Sequence, residues 1–151
     1  MKRITLLISF TLVIVLTPIM VLGEKPSLAP KSDTDTLILE ARLLEIPGSF
    51  PPNDIYDYVY IMKYRVAKVI KGNYAEKEIL VGHYNPLIPR SQIKDKMGEI
   101  VKGNVRKFEE GEKHRLVLVA PISTVWKDAI QDEYFDSERS KYFALQADVM
   151  K

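Results

Sequence analysis

Apolar and polar residues alternate along several stretches of the chain, a pattern typical of β-strands that bury one face. The first stretch covers residues 36–46, and the face that it would bury carries Leu37, Leu39, Ala41 and Leu43. Pro47 and Gly48 end it, while its many good helix formers leave a helix as the alternative. Residues 47–57 follow with three prolines and one glycine, which predicts a loop.

The strongest strand pattern covers residues 58–71. An adjacent Val-Ile pair breaks the phase of its alternation, and a β-bulge near residues 67–68 explains the slip. A Gly-Asn pair at residues 72–73 predicts a turn. Residues 77–84 then predict a third strand, one side of which carries Ile79, Val81 and His83.

The middle of the chain contains a long connection and a fourth strand. The connection covers residues 85–107, and residues 91–102 within it predict one short helix with Ile93, Met97 and Ile100 or Val101 facing inward. Residues 112–121 are apolar on both faces, which predicts a central strand. We expect the core of the domain to include Val66, Val117 and Leu118.

The end of the chain, residues 122–151, carries a weaker pattern. Trp126, Ile130 and Tyr134 recur every four residues, which predicts a short helix. Residues 142–149 predict either a fifth strand or an extension of that helix. Together the elements predict a mainly β domain over residues 36–151, with about five strands and one or two short helices.

Residues 1–23 have the composition of a secretory signal peptide. Two basic residues precede an almost wholly apolar run over residues 4–15, Pro18 breaks any helix, and Gly23 suits the small-residue rule for cleavage. We therefore expect cleavage after Gly23 and an extracytoplasmic domain, periplasmic or secreted; the alternative is an uncleaved membrane anchor. Residues 24–35 are polar and contain two prolines, which predicts a linker.

The charge balance changes once the predicted signal peptide is set aside. The whole chain has 22 Lys and Arg against 20 Asp and Glu. Residues 1–23 hold two of the basic residues and none of the acidic ones. The remaining domain is therefore close to neutral, which does not indicate a nucleic-acid binder. The chain contains no cysteine, so core packing rather than disulfides must hold the domain together.

Three phrases in the strand regions carry a resemblance to a known fold family. They are YRVAKVIKG at residues 64–72, EILV at residues 78–81 and FEEGEK at residues 108–113. This series resembles the OB-like barrels of the netrin and tissue-inhibitor-of-metalloprotease type, and it is especially similar to small extracytoplasmic domains associated with bacterial alginate O-acetyltransferase-related proteins. The resemblance covers about residues 36–121.

The resemblance implies a small OB-like β-barrel and a setting of exopolysaccharide export or modification. The chemistry of these groups does not carry over to this chain. The inhibitors depend on cysteines, and this chain has none. The acetyltransferases carry a Gly-Asp-Ser type nucleophile motif in a separate domain, and that motif is absent from the sequence.

The two histidines, His83 and His114, are the candidates for metal or catalytic chemistry. If their strands adjoin, the imidazoles would meet at the mouth of the barrel, with Asp95 or Glu112 as a further ligand. Because a stable zinc site needs three or four ligands, we expect no metal and no cofactor. No serine lies in a Gly-x-Ser-x-Gly or Gly-Asp-Ser context, so we also expect no catalytic residues.

The distribution of charge and of tyrosines supplies candidates for ligand binding. Basic residues concentrate in residues 90–107 and acidic residues in residues 128–138. A basic rim would attract an anionic polysaccharide, and the alternative is that the two segments face one another or water. Sugars stack on exposed aromatic faces, for which tyrosines at loop ends are suited. The candidate ligand-binding residues are Tyr56, Tyr84, Arg90, Lys94, Lys96 and Lys102.

These observations predict an exported, non-catalytic binding or accessory module for extracellular polysaccharide or for the proteins that modify it. The expected partners are an anionic polysaccharide or an exopolysaccharide-modifying protein. We expect no contact with nucleic acid, and contact with the membrane only through an uncleaved N-terminal segment. The alternatives are a small extracytoplasmic hydrolase or acyl-transfer enzyme that uses either histidine, and a pure protein–protein interaction domain.

Overall fold

The computed structural model describes residues 36–151, so the predicted signal peptide (1–23) and linker (24–35) lie outside the described residues. Its strands are β1 (Thr36–Glu45), β2 (Val59–Lys71), β3 (Glu78–Tyr84), β4 (Lys102–Gly103), β5 (Lys113–Val119), β6 (Ile130–Gln131) and β7 (Lys141–Val149). Three short 3-10 helices connect them, at Arg90–Gln92, Lys96–Glu99 and Ile122–Thr124. Residues 36–151 contain no helix that is long and apolar enough to cross a membrane.

The five longer strands close into a small barrel. They pair in the order β1-β5-β7-β3-β2, and a further pairing of β1 with β2 closes the ring. All these pairings are antiparallel except the one between β3 and β7, which is parallel. The two-residue strands β4 and β6 add to β7 and β2. The prediction of a mainly β domain with about five strands is confirmed, and the closed barrel is compatible with an OB-like fold.

The predicted bulge in β2 is present. Glu40 pairs with Lys68 and Ala41 pairs with Val66, which leaves Ala67 as the extra residue between them. A second irregularity follows near the end of the strand, at the adjacent Val-Ile pair. Bulges increase the local twist and bend a strand, so β2 is able to pair with β3 along its first half and with β1 along its second half.

The barrel interior is the first of two apolar cores. The alternating residues of β1 point into it, as predicted, together with Tyr64, Ile79, Leu116, Leu118 and others from the remaining strands. Leu118 is buried as predicted, but Val66 and Val117 are only partly buried. Val66 lies at the border of the interior core. Val117 is on the opposite face of β5 from Leu116 and Leu118, which alternation along a strand requires.

A second apolar core, which we call the outer layer, covers the outside of the barrel. The outer faces of β2, β3 and β7 contribute Val59, Ile61, Leu80, Tyr84 and Phe143 to it. Two chain segments cover these faces: the connection at residues 85–107 and the segment after β5. Their contributions are Ile93, Met97, Val101, Ile122, Val125 and Trp126.

The covering segments do not form the predicted helices. Residues 91–102 contain a 3-10 turn at Lys96–Glu99 instead of one helix, because the Asp95 side chain accepts a hydrogen bond from Met97 N and starts a separate turn there. The helix predicted through Trp126, Ile130 and Tyr134 is also wrong. The Trp126 indole donates to Ala129 O at 2.9 Å, and Ile130 belongs to β6, which pairs with β2. Residues 142–149 do form the fifth barrel strand, within β7.

Candidate functional site

The two histidines lie inside the barrel and are joined by one tyrosine. Their strands do not adjoin, because β7 lies between β3 and β5. His83 and His114 nevertheless reach the same hydroxyl group, with His83 Nε2 3.0 Å and His114 Nδ1 3.2 Å from Tyr64 Oη. All three side chains are buried. Because a phenol carries one proton, Tyr64 donates to one imidazole and accepts from the N–H of the other.

This hydrogen-bonded chain continues to the surface on one side only. His114 Nε2 is 3.3 Å from a carboxylate oxygen of Glu112, whose side chain is 32% exposed. Within residues 36–151, His83 Nδ1 has no hydrogen-bond partner, and the His83 ring packs on Phe108 with their centroids 4.5 Å apart. Burial, followed by the charges of Arg90 and His114, holds the pKa of His83 well below its ordinary value. Burial also lowers the pKa of His114, although Glu112 opposes that shift.

The position of the histidines bears on the enzyme and metal hypotheses. Both imidazoles are fully buried, so neither presents a ring nitrogen at the surface of residues 36–151. Glu112 contacts His114, but Asp95 is engaged elsewhere, since it accepts from the Tyr84 hydroxyl at 2.8 Å and from Met97 N at 2.7 Å. Within residues 36–151, no group of three or more His, Cys, Asp or Glu side chains is placed to hold a metal ion.

Arg90 was expected to face outward, and this expectation is wrong. Its side chain is only 3% exposed, and its guanidinium lies 5.4 Å from the centre of the Phe108 ring. The guanidinium donates to Asn85 O at 2.7 Å and to Ile88 O at 2.8 Å. Burial lowers its pKa to about 10. The Arg90 backbone N–H donates to Val105 O at 2.9 Å, which folds the connection back on itself at this point.

The two candidate tyrosines differ in exposure. Tyr56 is exposed as expected, and its hydroxyl accepts from Gln131 Nε2 at 2.9 Å. Tyr84 is buried, contrary to expectation, because it lies on the outer face of β3 beneath the covering segments. Its ring and the Trp126 ring pack edge to face, with their centroids 5.2 Å apart. Burial and the hydrogen bond to Asp95 raise the pKa of Tyr84.

The three candidate lysines, Lys94, Lys96 and Lys102, are all exposed as expected. Lys102 is turned back onto its own segment, where it donates to Gly98 O at 2.6 Å. Among residues 36–151, no ion pair joins the basic connection to the acidic segment at residues 128–138. Asp132 of that segment pairs instead with Lys141. The alternative in which the two charged segments pair with each other therefore lacks a supporting contact.

Lys96 lies on a groove that the sequence does not reveal. The groove encloses about 370 Å³ and runs between the two covering segments, and we call it the Trp126 groove. Its lining consists of Lys96, Met97, Thr124, Val125, Trp126, Lys127 and Asp128. The first two residues and the last five are more than 25 positions apart in the chain. No local pattern links them, so only the fold brings them together.

Comparison with known proteins adds no relative: no protein-family model, curated protein or solved structure matches this chain.

Proposed function

We propose that this domain is an exported, non-catalytic module that binds an acidic polysaccharide along the Trp126 groove. The observation that carries the proposal is the position of the groove, at the junction of the two segments that cover the outer faces of β2 and β3. OB-type barrels bind oligosaccharides across their second and third strands and the flanking loops. In this chain that face is buried, and the groove is the opening left above it.

The chemistry of the groove suits a sugar chain that carries negative charge. Met97 and Trp126 supply an apolar floor, while Lys96 and Lys127 stand on the rim against one carboxylate, Asp128. The indole is held by its hydrogen bond to Ala129 O and by the edge contact with Tyr84. It is only 5% exposed, so it offers an edge to a ligand, and the rim lysines supply most of the attraction.

The choice of polysaccharide rests on the resemblance described above. Small extracytoplasmic domains that accompany bacterial alginate O-acetyltransferase-related proteins work in a setting of acidic exopolysaccharide. A uronate polymer carries one carboxylate per sugar, which fits two lysines on one rim. Such an attraction between exposed charges weakens as salt increases.

Calorimetric titration with alginate oligosaccharides at low and high salt tests the proposal. The double change Lys96→Glu and Lys127→Glu should weaken binding about tenfold. Each substitution removes one attraction between exposed charges and adds one repulsion, and each of these is worth roughly 0.2–1 kcal/mol. The matched control is Lys113→Glu, an exposed lysine at the opposite end of β5 from the groove. A neutral glucan of equal length should not bind. Equal affinity of the double variant and the wild type for alginate would refute the groove as the site.

The tryptophan offers a second, independent measurement. Trp126 is the only tryptophan of the chain, so its fluorescence reports on the groove alone. We expect saturable change in its emission when alginate oligosaccharides bind. Binding seen by calorimetry without any change in emission would place the ligand on another surface.

Export is a separate part of the proposal, and N-terminal sequencing of extracytoplasmic protein tests it. Cleavage after Gly23 predicts that the mature chain begins at Glu24. Extracytoplasmic material that retains Met1 would instead support a membrane anchor. Protein recovered only from the cytoplasm would contradict export.

A further inference from the structure

Two segments that lie outside the Trp126 groove, apart from Asp128, meet at one end of the barrel. They are the loop at residues 47–57 and the acidic segment at residues 128–138. Val59 N, which follows the loop, donates to Ala129 O at 3.0 Å, and β6 pairs with the start of β2. Gln131 then reaches across to the Tyr56 hydroxyl. We call the surface of these two segments the acidic face.

The acidic face carries negative charge that the described part of the chain leaves uncompensated. Neither segment contains Lys or Arg, and together they contain Asp54, Asp57, Asp128, Asp132, Glu133, Asp136 and Glu138. Only Asp132 has an ion-pair partner within residues 36–151, namely Lys141. Asp57 and Asp128 accept hydrogen bonds from the Asn85 side chain and from Ala129 N, both of which are uncharged groups.

The same surface exposes large apolar side chains. Of the seven such side chains exposed within residues 36–151, four belong to these two segments: Ile55, Tyr56, Ile130 and Phe135. Phe135 is 80% exposed and Ile55 is 69% exposed, which is costly for groups of this size in water. Isolated exposed apolar residues are common, but four of them on two segments that contact each other are typical of an interaction site.

We propose that the acidic face binds a basic, extended segment of a partner protein that carries apolar side chains. The unpaired carboxylates select a cationic partner, and the exposed apolar groups supply the free energy of burial. Ile130 belongs to β6, which has no other described strand beside it apart from β2, so an extended segment has a strand edge along which to lie. A second copy of the chain is disfavoured, because the same face would bring like charges together.

The proposed partner differs in charge from the ligand of the Trp126 groove. An acidic polysaccharide is repelled by this face, and a basic segment is repelled by Lys96 and Lys127. The two surfaces share only Asp128, so each can be altered without the other. The arrangement lets one domain hold a polysaccharide and a protein at the same time.

The test uses three synthetic twelve-residue peptides and the folded domain, with binding measured by calorimetry. The first peptide alternates Lys and Val, the second alternates Lys and Ser, and the third alternates Glu and Val. We expect the Lys-Val peptide to bind about tenfold more tightly than the Lys-Ser peptide, and the Glu-Val peptide not to bind. Equal binding of the two basic peptides, or binding of the Glu-Val peptide, would overturn the proposal.

Variants locate the binding surface. The double change Ile55→Ser and Phe135→Ser should weaken binding of the Lys-Val peptide about tenfold, as should Glu133→Lys with Asp136→Lys. These side chains are exposed, so the fold should tolerate the changes, which thermal melts will check. Ile70→Ser is the matched apolar control, because Ile70 is exposed at the opposite end of β2. An effect of the control equal to that of the double variants would refute this location.

Two further measurements distinguish this proposal from the groove proposal and from self-association of the domain. The variant with Lys96→Glu and Lys127→Glu should bind the Lys-Val peptide at least as well as the wild type, so failure of the groove proposal leaves this one intact. Sedimentation velocity at increasing concentration detects self-association. A dimer that the Ile55→Ser and Phe135→Ser changes dissociate would show that a second copy is the occupant and would overturn the proposed partner.

Discussion

The interior of the barrel and the outer layer are both apolar cores, yet they are held in different ways. The interior is enclosed by a continuous ring of paired strands, and it tolerates a chain of polar rings, from His83 through Tyr64 to His114, at its centre. Within residues 36–151, the outer layer holds no comparable chain of buried polar rings. It is closed by two segments whose backbone hydrogen bonds lie mostly in local turns, and whose apolar side chains pack onto the barrel wall.

This difference teaches where rigidity and adaptability lie in the molecule. Strand pairing satisfies the backbone of the interior independently of its side chains, and the polar rings are joined to one another through Tyr64, with Glu112 beside His114. The covering segments depend on side-chain burial, and segments of that kind open locally at a lower free energy than the strands of a closed sheet. The Trp126 groove lies in the less constrained of the two regions, as binding sites on small domains often do.

The largest expected effect is the loss of a side chain from the interior. Leu118 is fully buried there, and Leu118→Ala should lower the free energy of unfolding by about 2–5 kcal/mol. Met97→Ala is the matched change in the outer layer, where Met97 is also buried. We expect it to cost less in global unfolding by denaturant, and to speed hydrogen exchange mainly within residues 88–101. A uniform increase in exchange over all strands would contradict the distinction between the two cores.

The next effect tests how closely the cover fits the barrel wall. A Cβ at Gly82, on β3, would lie 2.5 Å from Val59 Cγ1 and 3.1 Å from Ile122 Cδ1. Gly82→Ala should therefore lower the free energy of unfolding by about 1–3 kcal/mol, since overpacking forces neighbours to move. Combining it with Ile122→Ala vacates space in the cover into which Val59 can move, so the double variant should lose less than the sum of the two single losses. Additive losses would show that the wall and its cover are not in tight contact.

The third effect is a dependence of the free energy of unfolding on pH, and it comes from the two histidines of the barrel interior. Three side chains face His83: Tyr64 on β2, His114 on β5 and Arg90 in the connection. Glu112 faces His114. The pKa values of both histidines are lowered in the folded state. The unfolded chain therefore binds protons that the folded one does not, and stability is lost as pH falls through the unfolded value near 6.5.

The size of this loss can be measured by urea unfolding at several pH values. Between pH 7 and pH 6 each histidine that stays neutral in the folded state should cost about 0.7 kcal/mol, while above pH 7.5 the histidines should contribute almost nothing. His83 has the more strongly lowered pKa, so His83→Gln should remove the larger share of the slope even if it lowers the overall stability. A stability that stays constant from pH 7.5 to pH 5.5 would mean that the imidazoles accept protons inside the barrel.

The sequence predicts the interior far better than the outer layer, for a physical reason. Alternation along a strand reports directly which side chains face a barrel interior, so the buried face of β1 and the bulge at Ala67 follow from local pattern. For residues 142–149 the pattern leaves a strand and a helix open, and the pairing with β3 and β5 decides for the strand. The burial of Arg90 and Tyr84 depends on segments that are distant in the sequence and pack against them in the fold. Trp126 and Lys127 join Lys96 in one groove only through the fold, and no spacing within the sequence records that.

The two ends of the long connection are tied to the barrel next to each other. Arg90 N–H is bonded to Val105 O, and β4 is paired with β7 just before that point. The stretch between these anchors therefore contributes no barrel strand, so insertions, deletions and substitutions among its exposed residues leave every barrel strand with its partner. Because this stretch supplies one wall of the Trp126 groove, the shape of the groove can be altered at a single place in the chain while the barrel stays the same.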